Sequence, residues 1–316
     1  MKIAIGISGG VDSAVAALLL KERGHELCGV VMTLGRADEA ESLAEAKAAA
    51  TRLDLPLEVF DFSKEWQASI AGSIKTEYLS GRTPNPCVRC NELIKLGLLP
   101  RLAFERLGCE GFATGHYARK EIKDGKTFLK RAVDLKKDQS YFLYRVHPEI
   151  LERLHFPLGE LTKGKVREIA RSRGLVVADK GDSQDFCGGD VRSYISAADR
   201  EGNIVTAAGK VLGKHRGYWN YTVGMRKGLG IGGGTPYYVL KVRPETNEVV
   251  VGFKEETLAY SLNLVDTVGR IDFSLPVKVR SQGEPRFLKD GISGIAPGQS
   301  AVFYDGDLIV GGGVIE

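Results

Sequence analysis

Through its first eighty residues the chain alternates short apolar runs with stretches of helical period. Lys2 to Ile7 reads as a buried strand, Val11 to Arg23 as a helix apolar nearly all round, and Leu27 to Met32 as a second strand. An alanine-rich helix over Glu39 to Leu53, a strand over Leu57 to Phe62 and a helix over Lys64 to Leu79, with Ser63 as its N-cap, complete the pattern. Such alternation predicts an α/β domain built on a parallel sheet with helices on both faces. Gly111 to Thr114 predicts a further strand ending at Gly115 and His116. Asp124-Gly125 predicts a hairpin with arms at Glu121 to Lys123 and Thr127 to Lys130. Val166 to Arg173 predicts a helix for which Thr162 is available as a cap.

Beyond about residue 195 the period drops to two and glycines cluster, at Gly224, Gly228, Gly230 and Gly232 to Gly234. Tyr237 to Val242 and Glu248 to Phe253 flank a turn at Glu245 to Asn247, and Ser300 to Tyr304 and Leu308 to Val310 flank Asp305-Gly306-Asp307. Short strands joined by tight turns predict a small all-β barrel at the end of the chain. The expected division is a catalytic α/β domain over 1–195, a small central domain over 196–241 and a β-barrel over 242–316.

Composition narrows the class. The 316 residues are 43% hydrophobic, enough for real cores, which excludes disordered and fibrous chains. The longest apolar run near the start, Ala14 to Leu20, is far short of the roughly 20 residues of a membrane span. Asp12 interrupts the first apolar stretch, so no signal peptide is expected and the expectation is a cytoplasmic protein without a membrane partner. The net charge of +4 is uneven, at −4 over residues 1–81 and +9 over 82–181. A basic centre suits a polyanionic partner, although a lysine-rich solvated face would read the same way. Five cysteines without an export signal favour thiol chemistry or metal ligation over a disulfide framework.

The first strand runs into Ser8-Gly9-Gly10-Val11-Asp12-Ser13, which opens a helix. Two glycines let backbone N–H groups approach an anion, the helix N-terminus adds partial positive charge, and Ser8 and Ser13 add hydroxyls. No lysine follows the glycines and no third glycine is present, which excludes the common nucleotide and dinucleotide loops. SGGxDS after a buried strand resembles the pyrophosphate loop of ATP pyrophosphatases, which adenylate a carbonyl oxygen. Asp12 would repel phosphate, so its sensible role is through Mg²⁺. Adenylation turns a carbonyl oxygen into a good leaving group, after which sulfur can attack the carbon.

Cys87 and Cys90 lie in GRTPNPCVRCN, where Pro84 and Pro86 predict a loop carrying both thiols into a helix begun by Asn91. That helix N-terminus and Arg89 favour thiolate. Cys187 lies in a second glycine-flanked loop, DSQDFCGG. The pair alone is half of a zinc site, with no second pair to complete it. Three cysteines could hold an iron–sulfur cluster with one open iron. Cys28 and Cys109 read as buried small hydrophobes.

SGGVDS, GRTPNPCVRCN, ATGHYAR, KDQSYFL, FPLGELTKGKVREIA, DSQDFC, YTVGMRKGLGIGGG and PGQSAVFYDGDLIVGGGVIE follow one another in order. This series resembles the bacterial tRNA-specific 2-thiouridylases over essentially the whole chain. The resemblance implies a pyrophosphatase-loop domain, a small central domain and a C-terminal β-barrel. It implies ATP binding by Gly6, Ile7, Ser8, Gly9, Gly10, Val11, Asp12 and Ser13, with Met32 and Gly115 as further nucleotide contacts. It implies Cys90 as nucleophile and Cys187 as persulfide carrier. Asn85, Pro86, Cys87, His116, Lys137, Asp138, Gln139, Arg280, Ser281 and Gln299 fall where the family touches tRNA or the target base. Cys87 stands where some members have aspartate, and Cys87, Cys90 and Cys187 together form the variant that could bind [4Fe-4S]. Ser281 replaces a usual tyrosine, Met225 a common glutamine, and the region from Met32 to Leu53 is short.

The function so implied is ATP-dependent 2-thiolation of the tRNA wobble uridine, with sulfur from a cysteine desulfurase or a relay carrier. A small-molecule adenylating ligase would explain the loop but not the cysteines or the basic segment. A non-catalytic RNA-binding redox or iron–sulfur sensor would leave the intact Asp12 and Ser13 without purpose.

Overall fold

The computed structural model describes residues 1–36, 39–175, 191–195, 197–232 and 234–316. The chain forms two compact units. The first comprises Met1–Ile70, Cys87–Gly189, described as far as Leu175, and Gly306–Ile309; the second comprises Ala71–Pro86, Asp190–Asp305 and Val310–Glu316.

In the first unit, strand β1 (Lys2–Gly6) leads to helix α1 (Val11–Glu22), β2 (Glu26–Thr33), α2 (Glu39–Arg52) and β3 (Leu57–Asp61). Helix α3 (Pro86–Cys90) begins at the edge of this unit and continues through a π-helical segment over Asn91–Leu98 into α4 (Leu99–Leu107). Then come β4 (Gly111–Ala113), β5 (Leu154–His155) and α5 (Lys163–Ser172). The five strands form a parallel sheet in the order β3-β2-β1-β4-β5. Ile3, Ala4 and Ile5 of the central strand are fully buried, as a strand covered on both faces requires. Each isoleucine buried in this way contributes about 1.5–3 kcal/mol. Helix α1 offers small residues, Ala14 and Ala17, to the same core as Val166 and Ala170 of α5, which lets the two helices approach closely. After β3 the chain returns past β1 to lay down β4 on its other side. The order therefore reverses between β1 and β4, and at such a switch point ligands bind beyond the carboxyl ends of the strands.

Two local expectations are corrected. Ser63 is the first helical residue rather than the cap, because its N–H donates to the Asp61 carboxylate at 2.9 Å. The helix expected over 64–79 is broken by a π-turn at Gln67–Ala71, and its last part, Gly72–Leu79, belongs to the second unit. There Tyr78 and Leu79 pack against Ile195, Tyr218 and Trp219, and the Tyr218 hydroxyl donates to the Leu79 carbonyl at 2.7 Å.

The second unit holds a four-stranded sheet in the spatial order Tyr238–Arg243, Glu248–Gly252, Gly202–Thr206, Val211–His215. Further along the chain, Leu264–Gly269 runs antiparallel to the last strand, with Leu264 opposite Ile315, and Val277–Lys278 pairs with Ser300–Asp305. Val277, Leu288, Ala301 and Phe303 fill a separate core beneath them. Among the described residues no helix is long and apolar enough to cross a membrane.

His155 on the edge strand β5 has its pKa lowered to about 4, chiefly by burial and then by Lys120, His25 and Arg23. The unfolded chain takes up this proton near pH 6.5, the folded chain only near 4. The stability it contributes is therefore complete above about pH 6.5 and falls as pH drops towards 4. Chemical denaturation from pH 7 to 4 should show a smaller decline in His155→Gln than in the parent; an unchanged slope would show that His155 titrates normally.

Candidate active site

The glycine loop turns because Gly9 adopts φ +76° and Gly10 an extended conformation that serves as the N-cap of α1. A Cβ at Gly9 would lie 2.6 Å from the Glu45 Cβ, so α2 packs on the loop with no room for a side chain. No side chain caps α1, which leaves its first-turn N–H groups available to an anion. Ser13 is buried and braces the loop: its hydroxyl donates to the Gly10 carbonyl at 3.1 Å and accepts from Ser8 N–H at 3.2 Å. Ser8, whose hydroxyl lies 3.2 Å from that of Ser13, is the exposed member of the pair. Gly6 and Ile7 deliver the strand into the loop, with Ile7 N–H donating to Val30 at 2.9 Å.

Asp12 and Val11 form the first turn of α1. The Lys163 ammonium donates to both Asp12 oxygens, at 2.8 and 2.7 Å, and the Tyr117 hydroxyl donates to Oδ1 at 2.8 Å. Lys163 and Tyr117 lie in FPLGELTKGKVREIA and ATGHYAR, where no local pattern marks either as a partner of Asp12. Gly115 closes the other side of the loop, since a Cβ there would lie 2.8 Å from both the Asp12 carbonyl carbon and the Ser13 nitrogen. Met32 sits two residues beyond Val30, the register partner of Gly6, and so lies past the carboxyl end of β1. The residues expected to hold nucleotide thus gather at the switch point.

His116 is buried, with Nδ1 2.9 Å from the Thr114 hydroxyl and Nε2 3.4 Å from the Lys95 ammonium. Burial, and then Lys95, hold its pKa well below the usual histidine range, so the ring is neutral, with Nε2 the acceptor from Lys95. Lys95 belongs to the helical stretch that starts with the cysteines. A short path, Asp12 to Gly115 to His116 to Lys95, therefore joins the phosphate loop to the helix of Cys90.

The thiols do not lie on a loop. Both sit within α3, one turn apart, because Pro86 occupies the first helical position, where a missing N–H costs nothing and the fixed φ suits a helix. Cys90 is 2% exposed and Cys87 half-buried. Arg89 is compensated by Glu92 at 2.7 Å, which also pairs with Arg145 at 2.9 Å. Asn91 donates to the Phe142 carbonyl at 3.3 Å, tying the π-helical segment to Ser140–Leu143. Gly97 is required there, because any Cβ would strike the Glu92 carbonyl oxygen. Cys187 lies outside the described residues, so the structure neither joins it to Cys90 nor separates it. Among the described residues no three His, Cys, Asp or Glu side chains converge to hold a metal ion. Burial pushes the Cys28 and Cys109 thiols up, which suits packing rather than reactivity.

Of the remaining residues, Asp138 is buried and accepts from Ala132 N–H at 3.0 Å and the Ser140 hydroxyl at 3.0 Å. Gln139 and Tyr117 exchange two hydrogen bonds of 2.9 Å, which braces the tyrosine that holds Asp12. Lys137, half-buried, keeps contact with solvent beside them. In the second unit Gln299 donates to the Thr83 and Pro84 carbonyls at 2.9 and 3.2 Å, fixing the strand of chain that leads to Asn85 and Pro86. Arg280 is exposed yet tethered to the carbonyls of Gly294 and Val223, and Ser281 follows it half-buried.

A family model described as the tRNA methyl transferase HUP domain matches residues 1–188. Models described as the tRNA methyl transferase PRC-barrel domain and the aminomethyltransferase beta-barrel domain match 191–253 and 275–315. The tRNA-specific 2-thiouridylase MnmA of Carboxydothermus hydrogenoformans is 41% identical over an alignment covering 100% of this chain and 97% of that protein. That of Endomicrobium trichonymphae is 41% identical, covering 100% and 99%. The first alignment runs over 357 positions, 41 more than this chain has residues, so the chain is a short version of the common plan. Among solved structures, a 4-thiouridine synthetase–RNA complex with bound ATP matches 59% of this chain and 44% of its own at 18% identity and a TM-score of 0.39. Identity at this level, sustained from end to end, establishes that the chain belongs to the tRNA-specific 2-thiouridylase family.

Proposed function

We propose that the protein uses ATP to replace the 2-oxygen of the tRNA wobble uridine with sulfur. The observation that carries this reading is the path from Asp12 through Gly115 and His116 to Lys95, which links an anion-binding loop to the helix of a buried cysteine. Membership of the 2-thiouridylase family supplies the substrate class.

The uncapped N-terminus of α1 holds the phosphates, and the uridine 2-oxygen attacks the α-phosphate, expelling pyrophosphate. The uridine must leave the anticodon stack for this, since its reacting carbon is otherwise covered. Sulfur then adds to the activated carbon and AMP departs. In the persulfide version the terminal sulfur on Cys187 is the nucleophile, and Cys90 breaks the S–S bond to leave a Cys90–Cys187 disulfide for external reduction. In the cluster version Cys87, Cys90 and Cys187 would anchor [4Fe-4S]. Mg²⁺ suits a site with a single carboxylate, because it keeps several waters and takes most other ligands from substrate phosphates; Asp12 would hold it and it would supply neutralising charge. Asn85, Pro86, Lys137, Arg280, Ser281 and Gln299 are assigned to tRNA, with phosphate contacts dominant. A cysteine desulfurase or relay carrier supplies the sulfur.

The test is pyrophosphate release with and without tRNA, followed by nucleoside analysis of the anticodon and iron quantitation on anaerobically purified protein. Release that depends on tRNA and yields 2-thiouridine is expected. Release driven by a small carboxylic acid would instead favour a ligase. Iron near zero would remove the cluster version.

A further inference from the structure

The phosphate loop has no lysine of its own, but a lysine reaches it from elsewhere. Lys163 opens α5, 151 residues along the chain from Asp12, and its ammonium sits on both oxygens of that carboxylate. The lysine side chain is 9% exposed and the aspartate 32%, so the ammonium is the desolvated partner and the carboxylate the more solvated one. Tyr117 flanks the pair, its hydroxyl on Asp12 and its ring centroid 5.8 Å from the ammonium.

Stability does not account for this arrangement. Desolvating an ion pair commonly costs as much as its attraction returns. Helix α5 is secured without it: Val166 and Ala170 are fully buried, the Thr162 hydroxyl accepts from Lys165 N–H, and Asp134 accepts from Lys163 N–H at 2.9 Å. What the pair does accomplish is electrostatic. An uncompensated carboxylate in the first turn of α1 would repel a triphosphate from the N–H groups meant to hold it, and the ammonium cancels that charge.

We propose that Lys163 is the cation of this phosphate loop, held on Asp12 in the free protein and shared between Asp12 and the β- and γ-phosphates of ATP once nucleotide binds. This rests on the ATP-using reading above. The ammonium is already desolvated and already beside the loop, so engaging phosphate adds a second anionic partner with no transfer out of water and keeps Asp12 neutralised. Tyr117 keeps Asp12 oriented as phosphate arrives and so acts as a positioning residue.

The experiment titrates ATP and AMP into the full chain, with EDTA present, for the parent, Lys163→Met, Lys163→Arg and the double variant Asp12→Asn/Lys163→Met, and melts each protein. Loss of a charged hydrogen bond to phosphate should weaken ATP by roughly 10- to 100-fold in Lys163→Met while AMP changes less than about twofold. Lys163→Arg should recover most of the ATP affinity. The double variant should recover any thermal stability lost by the single one, since no buried charge is left alone, yet still bind ATP roughly tenfold or more weakly than the parent. Equal weakening of ATP and AMP, no weakening of either, or ATP binding restored in the double variant would each reduce Lys163 to a partner of Asp12 and leave the ATP reading intact. A parent chain that binds neither nucleotide overturns both.

Discussion

Cys90→Ser should lower 2-thiolation of tRNA by on the order of 10⁴-fold while ATP binding stays within about twofold of the parent, because removing the reacting group of a covalent mechanism removes the route itself. The substitution is close to isosteric at a site only 2% exposed, so packing around Val88 and Ile94 should survive and the melting temperature should move little. The thiol also lies outside the contacts that build the loop, which are made by Ser13, Tyr117 and Lys163. Quantifying 2-thiouridine beside an ATP titration separates these effects. Thiolation above a tenth of the parent rate would remove Cys90 from its role; parallel loss of ATP binding would make it structural.

Gly115→Ala should strongly weaken nucleotide binding. The added methyl meets backbone on both sides, the Asp12 carbonyl carbon and the Ser13 nitrogen, each at 2.8 Å, so no side chain can swing away. Either β4 or the first turn of α1 must move. Overpacking of this kind costs about 1–3 kcal/mol. Much of the strain should fall on the loop geometry, weakening ATP by roughly 10- to 100-fold. Gly164→Ala is the matched control. Its Cβ would lie 3.9 Å from the Thr162 hydroxyl, and alanine is the better helix former by about 1 kcal/mol, so this variant should bind ATP normally and melt no lower. Normal ATP affinity in Gly115→Ala would show that the loop tolerates displacement.

The phosphate loop was legible because its causes are local: a buried strand, two glycines and a helix start within thirteen residues. The parallel sheet was legible for the same reason, each strand carrying its own apolar run. Lys163 was not, because its partner lies 151 residues away and a lysine at the start of a helix looks like any solvated cation. The helical placement of Cys87 and Cys90 was not legible because Pro86 points two ways. A proline forbids the helical interior but fits its first position, and only the path of the chain shows which applies. The π-turn after Cys90 depends on the Glu92 carbonyl meeting a bare Gly97, a tertiary fit with no period of its own. The periodicity over 64–79 told of a helix but not of the core to which its end belongs. Tyr78 and Leu79 find theirs beside Tyr218 and Trp219, far along the chain.

Residues 306–309 belong to the first unit, where Leu308 pairs with Lys130 and Arg131 N–H donates to the Asp307 carbonyl, while Val310 onward completes the second. During synthesis, then, the strand edge at Lys130 waits for its partner until these late residues have emerged from the ribosome. A nascent chain that has already made every residue assigned to nucleotide still carries that one open strand edge. Chaperone dependence, rather than catalysis, is where damage to that stretch would first be felt.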